Sequence, residues 1–338
     1  MGRWIGPAVA AALLLAGGAV SARPWRWSLP AGLAAPVLPA DNPMSAAKVE
    51  LGRRLFHDAD LSIDGTMACS ACHEQRRGFA DGNRSRPGVH GDPGRRNVPG
   101  LANVGWMTPL TWAAPGLTTL ERQALVPITG DHPVEMGMGG KEAEIPARLG
   151  RDRCYRRMFA KAFPETRGRI DLPAVAKALA AFQRTLISFD SPFDRRGTTP
   201  LPAAAARGLA LFEARCAACH SGANFTDGRF HAIEDRFDET DPGLAEKTGA
   251  PADRGRFRTP SLRNVALAAP YLHDGSAATL GDAIRRHARL PAANRLSPAQ
   301  IDDLATFIGS LTDEHFVTDP RLGYPERACG RGRTIAGP

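Results

Sequence analysis

The sequence lacks several features that would assign it to common classes of protein. After residue 22 it contains no apolar run of membrane-spanning length. Its net charge is +8, but the excess arginines are spread along the chain and form no basic stripe with interleaved aromatic residues. Nucleic-acid binding is therefore not expected. No stretch shows the alternating pattern of a β-strand. These absences predict a mainly α-helical protein that does not span a membrane once residues 1–22 are removed.

Cysteine is scarce, and most of it falls in two copies of one motif. Four of the six cysteines stand in Cys69-Ser70-Ala71-Cys72-His73 and Cys216-Ala217-Ala218-Cys219-His220. A zinc site would need a second cysteine pair or further histidines nearby, which neither motif has. In an exported chain, Cys-x-x-Cys-His attaches a c-type haem through two thioethers and supplies one axial histidine to the iron. The motifs predict two covalent haems, with His73 and His220 as proximal ligands.

The two remaining cysteines, Cys154 and Cys329, allow two interpretations. An oxidising compartment permits a disulfide between them, but the sequence does not define the geometry that a disulfide requires. Two unpaired thiols are the alternative.

The first 22 residues have the pattern of a secretory signal peptide. Arg3 provides a positive charge, residues 8–20 form the apolar region, and Val20-Ser21-Ala22 is a small-residue cleavage site. An uncleaved signal anchor is the alternative. We expect a soluble periplasmic protein that begins near Arg23 and stays basic. A net positive charge suits binding to an acidic protein partner, or arginine contacts to haem propionates.

An internal duplication is predicted from the residues before each haem motif. Ser45 precedes a helix expected over residues 46–56, and its end, 52–56, is repeated at 208–212. A linker at 192–202 separates the copies. We expect a signal peptide at 1–22 and two cytochrome c-like domains, at 23–195 and 196–338, each with one covalently bound haem. Residues 74–140, dense in glycine and proline, are expected to form a long functional loop. Further helices are expected over residues 145–163, 172–188, 203–214, 279–290 and 297–311, the last of them begun by a capping box of Ser297 and Gln300.

Five further segments carry a resemblance to a known family. They are Asn97-Val98-Pro99, Leu101-Ala102-Asn103, Pro133-Val134-Glu135-Met136, Arg258-Thr259-Pro260-Ser261-Leu262-Arg263-Asn264-Val265 and Pro270-Tyr271-Leu272-His273-Asp274-Gly275. Together with the haem motifs, they resemble the bacterial di-haem cytochrome c peroxidases and their MauG-like relatives over nearly the whole mature chain. The resemblance implies that the N-terminal haem cleaves hydrogen peroxide and that the C-terminal haem transfers electrons.

The resemblance also implies roles on the distal side of the first haem. Glu135 matches the family's catalytic glutamate, which moves a proton during O–O cleavage; a solvated loop carboxylate is the alternative. His90 lies where many of these peroxidases have a histidine that ligates the first iron at rest, and Gly88 and Gly91 would permit its movement. MauG-type members keep this position open, and residues 92–96 depart from the peroxidase pattern. His90 is therefore either a resting ligand or an ordinary loop histidine.

On the second haem, the resemblance places the distal ligand at His287. The peroxidases use methionine there and MauG uses tyrosine, but this chain has no methionine after Met158. His287 falls at the ligand position counted from Thr279-Leu280, and His273 is the competing residue. Because a thioether stabilises ferrous iron better than an imidazole does, histidine is expected to lower the reduction potential. A lower potential favours sharing of oxidising equivalents between the two haems, as in MauG.

Two further assignments follow from the resemblance. Trp112 matches a tryptophan between the two haems and would act as the relay; core packing is its alternative role, and Trp106 is the alternative relay. The family usually holds calcium between the haems. Asn97 would provide a side-chain ligand to it, with the carbonyls of Arg258 and Pro260.

Residues 39–52 and 110–113 most resemble the MbnH-type branch of the family. Its members use hydrogen peroxide to oxidise a tryptophan of a copper-binding partner, MbnP, to kynurenine. We therefore expect an oxidoreductase that modifies a partner protein. Two alternatives stay open. One is a peroxidase that takes electrons from a small cytochrome c or a cupredoxin, and the other is a di-haem electron carrier without catalytic activity.

Overall fold

The computed structural model describes residues 25–234, 240–287, 290 and 295–325. Within them the protein is built from α-helices, short 3-10 turns and one small sheet, which confirms the mainly α-helical fold class. Strands β1 (Phe230–His231) and β2 (Phe257–Arg258) pair antiparallel. The helices are α1 (Ala46–Phe56), α2 (Cys69–Cys72), α3 (Leu120–Thr129), α4 (Glu144–Arg151), α5 (Arg153–Ala162), α6 (Leu172–Gln183), α7 (Ala203–Arg215), α8 (Ala245–Thr248), α9 (Leu280–Arg285), α10 (Pro298–Gly309) and α11 (Glu314–Thr318).

Most of the expected helices form, with the predicted caps. Ser45 accepts a hydrogen bond from the Lys48 N–H and begins α1 at the expected residue. Ser297 and Gln300 form a capping box at the start of α10. The region expected to be one helix over 145–163 instead forms α4 and α5, because Asp152 ends the first and caps the second.

The predicted long loop of residues 74–140 contains a helix that the sequence reading missed. α3 begins after Thr119, whose side chain accepts a hydrogen bond from the Arg122 N–H, and it includes Pro127. Proline and glycine around this segment normally mark turns, but packing of one apolar face stabilises the helix here. The residues of that buried face are Leu120, Ala124 and Ile128.

Two crossed helix pairs show the internal duplication directly. α1 packs on α6, and α7 packs on α10. A Cβ on Gly52 would lie 1.8 Å from the carbonyl oxygen of Ala178, and a Cβ on Gly208 would lie 2.0 Å from that of Asp303. Only glycine lets the two backbones approach this closely. The repeated glycines of the sequence therefore mark a repeat of tertiary structure, in two cytochrome c-like domains.

Each domain has its own hydrophobic core, but the C-terminal segment returns to the first one. Phe316 and Leu322 are buried in the core that contains α1 and α6. Gln75, two residues after His73, donates hydrogen bonds to the carbonyls of Phe316 and Asp319 at 3.1 and 2.8 Å. The expected domain boundary between residues 195 and 196 stays a prediction.

A buried polar network joins the two domains. Asn103 and Asn264 both have left-handed backbone conformations, with φ of +57° and +59°, and each begins a 3-10 turn. Their side chains donate to the carbonyl and to the hydroxyl of Ser188, both at 2.9 Å. Asp313 accepts from the same hydroxyl at 3.2 Å, and its N–H donates to Asn264 at 2.8 Å. Because these groups are buried and paired, they hold the domains in one orientation.

No helix among the described residues is long and apolar enough to cross a membrane. The predicted signal peptide and Cys329 lie outside the described residues. Cys154, at the start of α5, is buried and disulfide-bonded; its pairing with Cys329 stays a prediction.

Candidate di-haem active site

The first haem motif lies on a single turn of helix. Cys69 and Cys72 begin and end α2, and His73 follows. The Nδ1 atom of His73 lies 2.7 Å from the carbonyl oxygen of Phe79, whose φ is +62°. A histidine whose Nδ1–H is held by a carbonyl presents Nε2 to a metal, as metal-ligating histidines commonly do. Phe56 of α1 packs beside the imidazole, with ring centres 6.3 Å apart.

The second motif repeats this arrangement. The Nδ1 atom of His220 lies 3.0 Å from the carbonyl oxygen of Phe225, whose φ is +53°. Phe212 of α7 packs beside the imidazole, with ring centres 6.5 Å apart. A positive φ is uncommon for a bulky residue. Its recurrence at both sites shows that each domain orients its histidine in the same way.

The thiols of the motifs lie in an environment that disfavours their ionisation. Burial raises the pKa of Cys69 to about 12, and it raises those of Cys72 and Cys216 to about 11. Cys219 also has two possible metal-ligating neighbours, because the ligand atoms of Cys219, Asp227 and His231 lie within 4.8 Å of one another. The environment is compatible with thioether bonds to haem.

A cavity of about 940 Å³ adjoins the second motif. His287, two residues after the end of α9, faces His220 with ring centres 6.4 Å apart. Its Nδ1 lies 2.8 Å from the carbonyl oxygen of Ala283, so Nε2 is free to bind a metal. Two metal–imidazole bonds of about 2.0–2.1 Å, with about 1.2 Å from each nitrogen to its ring centre, separate facing rings by roughly 6.4 Å. The spacing fits one haem iron between the two histidines.

The electrostatic environment keeps both imidazoles neutral. Burial, assisted by the neighbouring ring of His287, lowers the pKa of His220 to about 4, and burial also lowers the pKa of His287. Neutral imidazole is the form that ligates iron. The competing residue, His273, lines the same cavity, but its ring stacks on Phe257 with centres 3.5 Å apart.

The first domain differs from the second at the position of the distal ligand. Thr119 caps α3 as Thr279 caps α9. Pro127 stands eight residues after the first threonine, and His287 stands eight residues after the second. Proline has no side-chain group that can bind iron. The segment that brings an imidazole opposite the proximal histidine in the second domain therefore brings none in the first.

Backbone hydrogen bonds place Glu135 beside this proline. The N–H of Met136 donates to the carbonyl of Pro127 at 2.9 Å, the N–H of Ile63 donates to the carbonyl of Met136 at 2.9 Å, and the N–H of Val89 donates to the carbonyl of Glu135 at 2.8 Å. The segment is thus held from three sides. Its hydrogen-bond partners come from three parts of the chain: Ile63 precedes the first haem motif, Val89 follows it, and Pro127 belongs to α3.

The Glu135 carboxyl is partly buried and interacts with the first haem motif. Its charge adds to burial in raising the pKa of both Cys69 and Cys72. Burial raises the pKa of Glu135 itself. A partly buried carboxyl with a raised pKa can hold and release a proton, as a general acid–base group does.

Trp112 lines the second haem cavity at the contact between the domains. Its indole N–H donates to the carbonyl of Asn97, and its own carbonyl accepts from the N–H of Arg258, both at 2.8 Å. The N–H of Asn97 in turn donates to the carbonyl of His273 at 2.7 Å. Trp112 and His273 lie 161 residues apart, as do Asn97 and Arg258. The two interdomain backbone bonds are therefore related by the duplication.

Trp106, the alternative relay, makes different contacts. Its indole N–H donates to the carbonyl of Ala34 at 2.9 Å, and its ring packs against Phe189 with centres 5.7 Å apart. The residues that line the haem cavity include Trp112 but not Trp106.

Comparisons with known proteins agree with this geometry. The family profile for di-haem cytochrome c peroxidase matches residues 46–198, and the cytochrome c profile matches residues 205–312. The methylamine utilization protein MauG of Methylophilus methylotrophus is 34% identical, over 81% of this chain and 84% of its own length. The chain belongs to the di-haem cytochrome c peroxidase and MauG family.

Other members of the family are similar across most of the chain. The cytochrome c551 peroxidase of Pseudomonas aeruginosa is 31% identical, over 84% of this chain and 82% of its own. The crystal structure of a MauG-like protein associated with microbial copper homeostasis has a TM-score of 0.85 and 39% identity, covering 90% of this chain and 100% of that one. The expected family and the expected class of enzyme, a haem-dependent oxidoreductase, are confirmed, and two cytochrome c domains imply two haems.

The arginines around the second cavity fit a haem of this family. Arg258 is buried, and burial lowers its pKa to about 10. Its guanidinium donates to the carbonyls of Thr111 and Thr259, at 3.1 and 3.2 Å. No carboxylate in the part of the chain that the structure describes forms an ion pair with it. A haem propionate would provide the missing anion. The arginines that line the cavity are Arg77, Arg215, Arg258, Arg263 and Arg286.

The residues expected to hold calcium lie near one another. Asn97, Arg258 and Pro260 all line the cavity beside Trp112. The side-chain amide of Asn97 donates to the carbonyl of Asn83 at 2.9 Å. Amide and carbonyl oxygens suit calcium, and the assignment stays a prediction.

His90 is exposed. Its Nε2 lies 3.2 Å from the position that a Cβ on Gly137 would take, two residues after Glu135. The loop that carries it is tied to the second domain, where Arg96 donates to Asp241 at 2.8 and 2.6 Å. A role for His90 as a resting ligand stays a prediction.

The sequence reading missed the correspondence between α3 and α9. The signal that could have found it is a pair of Thr-Leu dipeptides, Thr119-Leu120 and Thr279-Leu280. In each of them the threonine caps a helix and the leucine begins it. The resemblance to the family points only to the second as the start of a ligand-bearing helix.

Proposed function

We propose that this protein is a periplasmic di-haem oxidoreductase that activates hydrogen peroxide at the first haem and passes oxidising equivalents by way of the second haem to a partner protein. The difference between the two distal positions carries this proposal. His287 faces His220, whereas Pro127 takes the equivalent position in the first domain, with Glu135 beside it. An iron with two protein ligands transfers electrons, and one with an open position binds peroxide.

When bound, the first haem supplies the electrons that cleave the O–O bond. Glu135 supplies the proton transfer. Cleavage to water requires a proton to move from one peroxide oxygen to the leaving one, and a carboxyl on the distal side can carry it. Burial raises the pKa of Glu135, which increases the fraction that holds a proton. The hydrogen bonds of the neighbouring backbone to Pro127 and Val89 keep the carboxyl in place.

The second haem would be held by His220 and His287. Histidine in place of methionine lowers the reduction potential of the iron, so this haem is easier to oxidise and a poorer store of electrons. Trp112 provides an aromatic connection between the haem sites, and two hydrogen bonds fix its position. This arrangement favours an enzyme that is ready at rest, without priming by an electron.

The partner that we propose is an exported copper-binding protein similar to MbnP, of which one tryptophan is oxidised. Two observations support this choice. The solved structure that is 39% identical belongs to a MauG-like protein associated with microbial copper homeostasis. The net charge of +8 favours an acidic protein surface as the partner. A calcium ion held by Asn97, Arg258 and Pro260 completes the proposed cofactor set.

Electron paramagnetic resonance (EPR) of the ferric holoprotein tests the proposal. We expect one high-spin and one low-spin haem; two low-spin haems would contradict it and indicate an electron carrier. Hydrogen peroxide is then added without a donor. A long-lived two-electron-oxidised spectrum, followed by kynurenine in the candidate partner by peptide mass spectrometry, supports partner modification.

The second candidate is a peroxidase that uses a small cytochrome c or a cupredoxin. The 31% identical cytochrome c551 peroxidase favours it. Under this alternative, the oxidised spectrum decays rapidly, turnover requires the reduced donor, and the partner protein is unmodified.

A further inference from the structure

The C-terminal segment carries an exposed tyrosine. Tyr324 is 45% exposed and is the one aromatic residue among the exposed large hydrophobic side chains of the described residues. The chain has three tyrosines, and the other two, Tyr155 and Tyr271, are buried. A tyrosine presents an apolar ring and a polar hydroxyl, which suits contact with another protein. Tyr324 is thus the phenol that can react with a molecule outside the protein.

A series of packed rings connects Tyr324 to the axial histidine of the first haem. The ring centres of Tyr324 and His57 are 5.8 Å apart, those of His57 and Phe56 are 5.4 Å apart, and those of Phe56 and His73 are 6.3 Å apart. These separations are those of aromatic rings in contact. Because electron tunnelling falls off exponentially with distance and is slowest across empty gaps, continuous packing favours transfer along this series.

The position of the segment is held by several contacts. Arg53 of α1 donates to the carbonyls of Pro320, Arg321 and Gly323, at 3.1, 3.3 and 3.5 Å. Leu322 is 8% exposed and belongs to the first core. Together with the bonds from Gln75, these contacts hold Tyr324 against the first domain, although it lies more than 250 residues after His73 in the chain.

We propose that Tyr324 is a second, redox-active exit, separate from the route by way of the second haem, through which oxidising equivalents leave the first haem for an aromatic side chain of a protein docked at this surface. The inference rests on the proposed peroxide activation at that haem. Reducing one hydrogen peroxide to two waters takes two electrons and two protons. Tyr324 supplies these two electrons one at a time through the packed rings; each time it releases its phenolic proton to water and becomes a neutral tyrosyl radical. After each oxidation, an electron and a proton from the docked side chain restore the phenol, so two such cycles balance one hydrogen peroxide.

Freeze-quench EPR of the holoprotein mixed with hydrogen peroxide, without any partner, tests this inference. We expect a tyrosyl radical signal in the wild type, followed by dityrosine fluorescence and a covalent dimer on denaturing gels. Tyr324→Phe should abolish the signal, the fluorescence and the dimer. Tyr155→Phe, which changes a buried tyrosine of the same domain, should leave all three unchanged. His57→Leu, which removes one ring of the series, should slow the appearance of the radical.

The outcomes that would overturn the inference show whether it fails alone or together with the proposed function. A normal peroxide-dependent change in the haem spectrum without a tyrosyl signal, or with a signal that survives in Tyr324→Phe, overturns this inference alone. A signal lost in Tyr271→Phe instead would assign the radical to the second haem cavity. If the haem spectrum does not respond to peroxide at all, the proposed function fails and this inference fails with it.

Discussion

Pro127 and His287 occupy the same position in the two halves of the molecule, eight residues after a helix-capping threonine. His287 faces His220 with ring centres 6.4 Å apart. Pro127 instead accepts a hydrogen bond from the N–H that follows Glu135. In the second domain two imidazoles thus face each other, whereas in the first domain α3 brings no imidazole to the equivalent position and holds the segment that carries Glu135.

Glu135→Gln should leave both haems attached and lower peroxide turnover by about 10²- to 10⁴-fold, because an amide cannot carry the proton. Stopped-flow kinetics measures the turnover, and the haem absorption of the purified protein measures the attachment. Glu142→Gln is the matched control, since this carboxylate lies away from the haem motifs and accepts a hydrogen bond from the Gly140 N–H. Wild-type turnover in Glu135→Gln would exclude the assigned role.

His287→Met should keep the second haem low-spin and raise its reduction potential, because a thioether stabilises ferrous iron better than an imidazole does. Spectroelectrochemical titration measures the potential, and EPR measures the spin state. His273→Gln is the control and should keep the low-spin signal. If His273→Gln abolishes the low-spin signal while His287→Met changes neither the reduction potential nor the spin state, the ligand is His273.

Gly52→Ala should lower the free energy of unfolding of the holoprotein by about 1–3 kcal/mol, because the new methyl group collides with the backbone of α6. Gly208→Ala should do the same at the crossing of α7 and α10. Gly150→Ala in α4 is the control; no atom lies within 4 Å of its Cβ position, and alanine there should be neutral or stabilising by up to about 1 kcal/mol. Equal effects at all three glycines in denaturant titrations would disprove the close crossings.

Glu246→Gln should reduce stability at neutral pH and have no effect in acid. The hydrogen bond from Arg95 lowers the pKa of Glu246 below its ordinary value of 4.5. The ion pair therefore stabilises the folded protein above pH 4.5, and the contribution is lost as pH falls through the lowered pKa. We expect the wild type to exceed the variant by about 0.5–1 kcal/mol at pH 7.

Chemical denaturation at several pH values checks this prediction. Glu165→Gln, an exposed glutamate of the first domain, serves as the control. A difference between wild type and Glu246→Gln that grows as the pH falls would contradict the sign derived from the lowered pKa.

The features that depend on neighbours in the chain were predictable from the sequence. Ser45 and Ser297 begin their helices where the capping patterns place them, and the repeated glycines, Gly52 and Gly208, lie at equivalent crossings. α3 was missed because its proline and the glycines after it are turn signals. Its stability comes from a buried face, which local sequence does not reveal.

The sequence alone predicts two haem-attachment motifs, two related helical domains and a carboxylate in a family-specific segment. Tertiary structure decided which distant residues meet. It brought His287 rather than His273 opposite His220, aligned Pro127 with His287, and returned the segment before Tyr324 to the first domain. These two kinds of feature differ in how far along the chain their interactions reach. Caps and motif spacings act within a few residues, whereas long connections can close in many ways, and only burial and hydrogen bonding in the assembled fold select one of them.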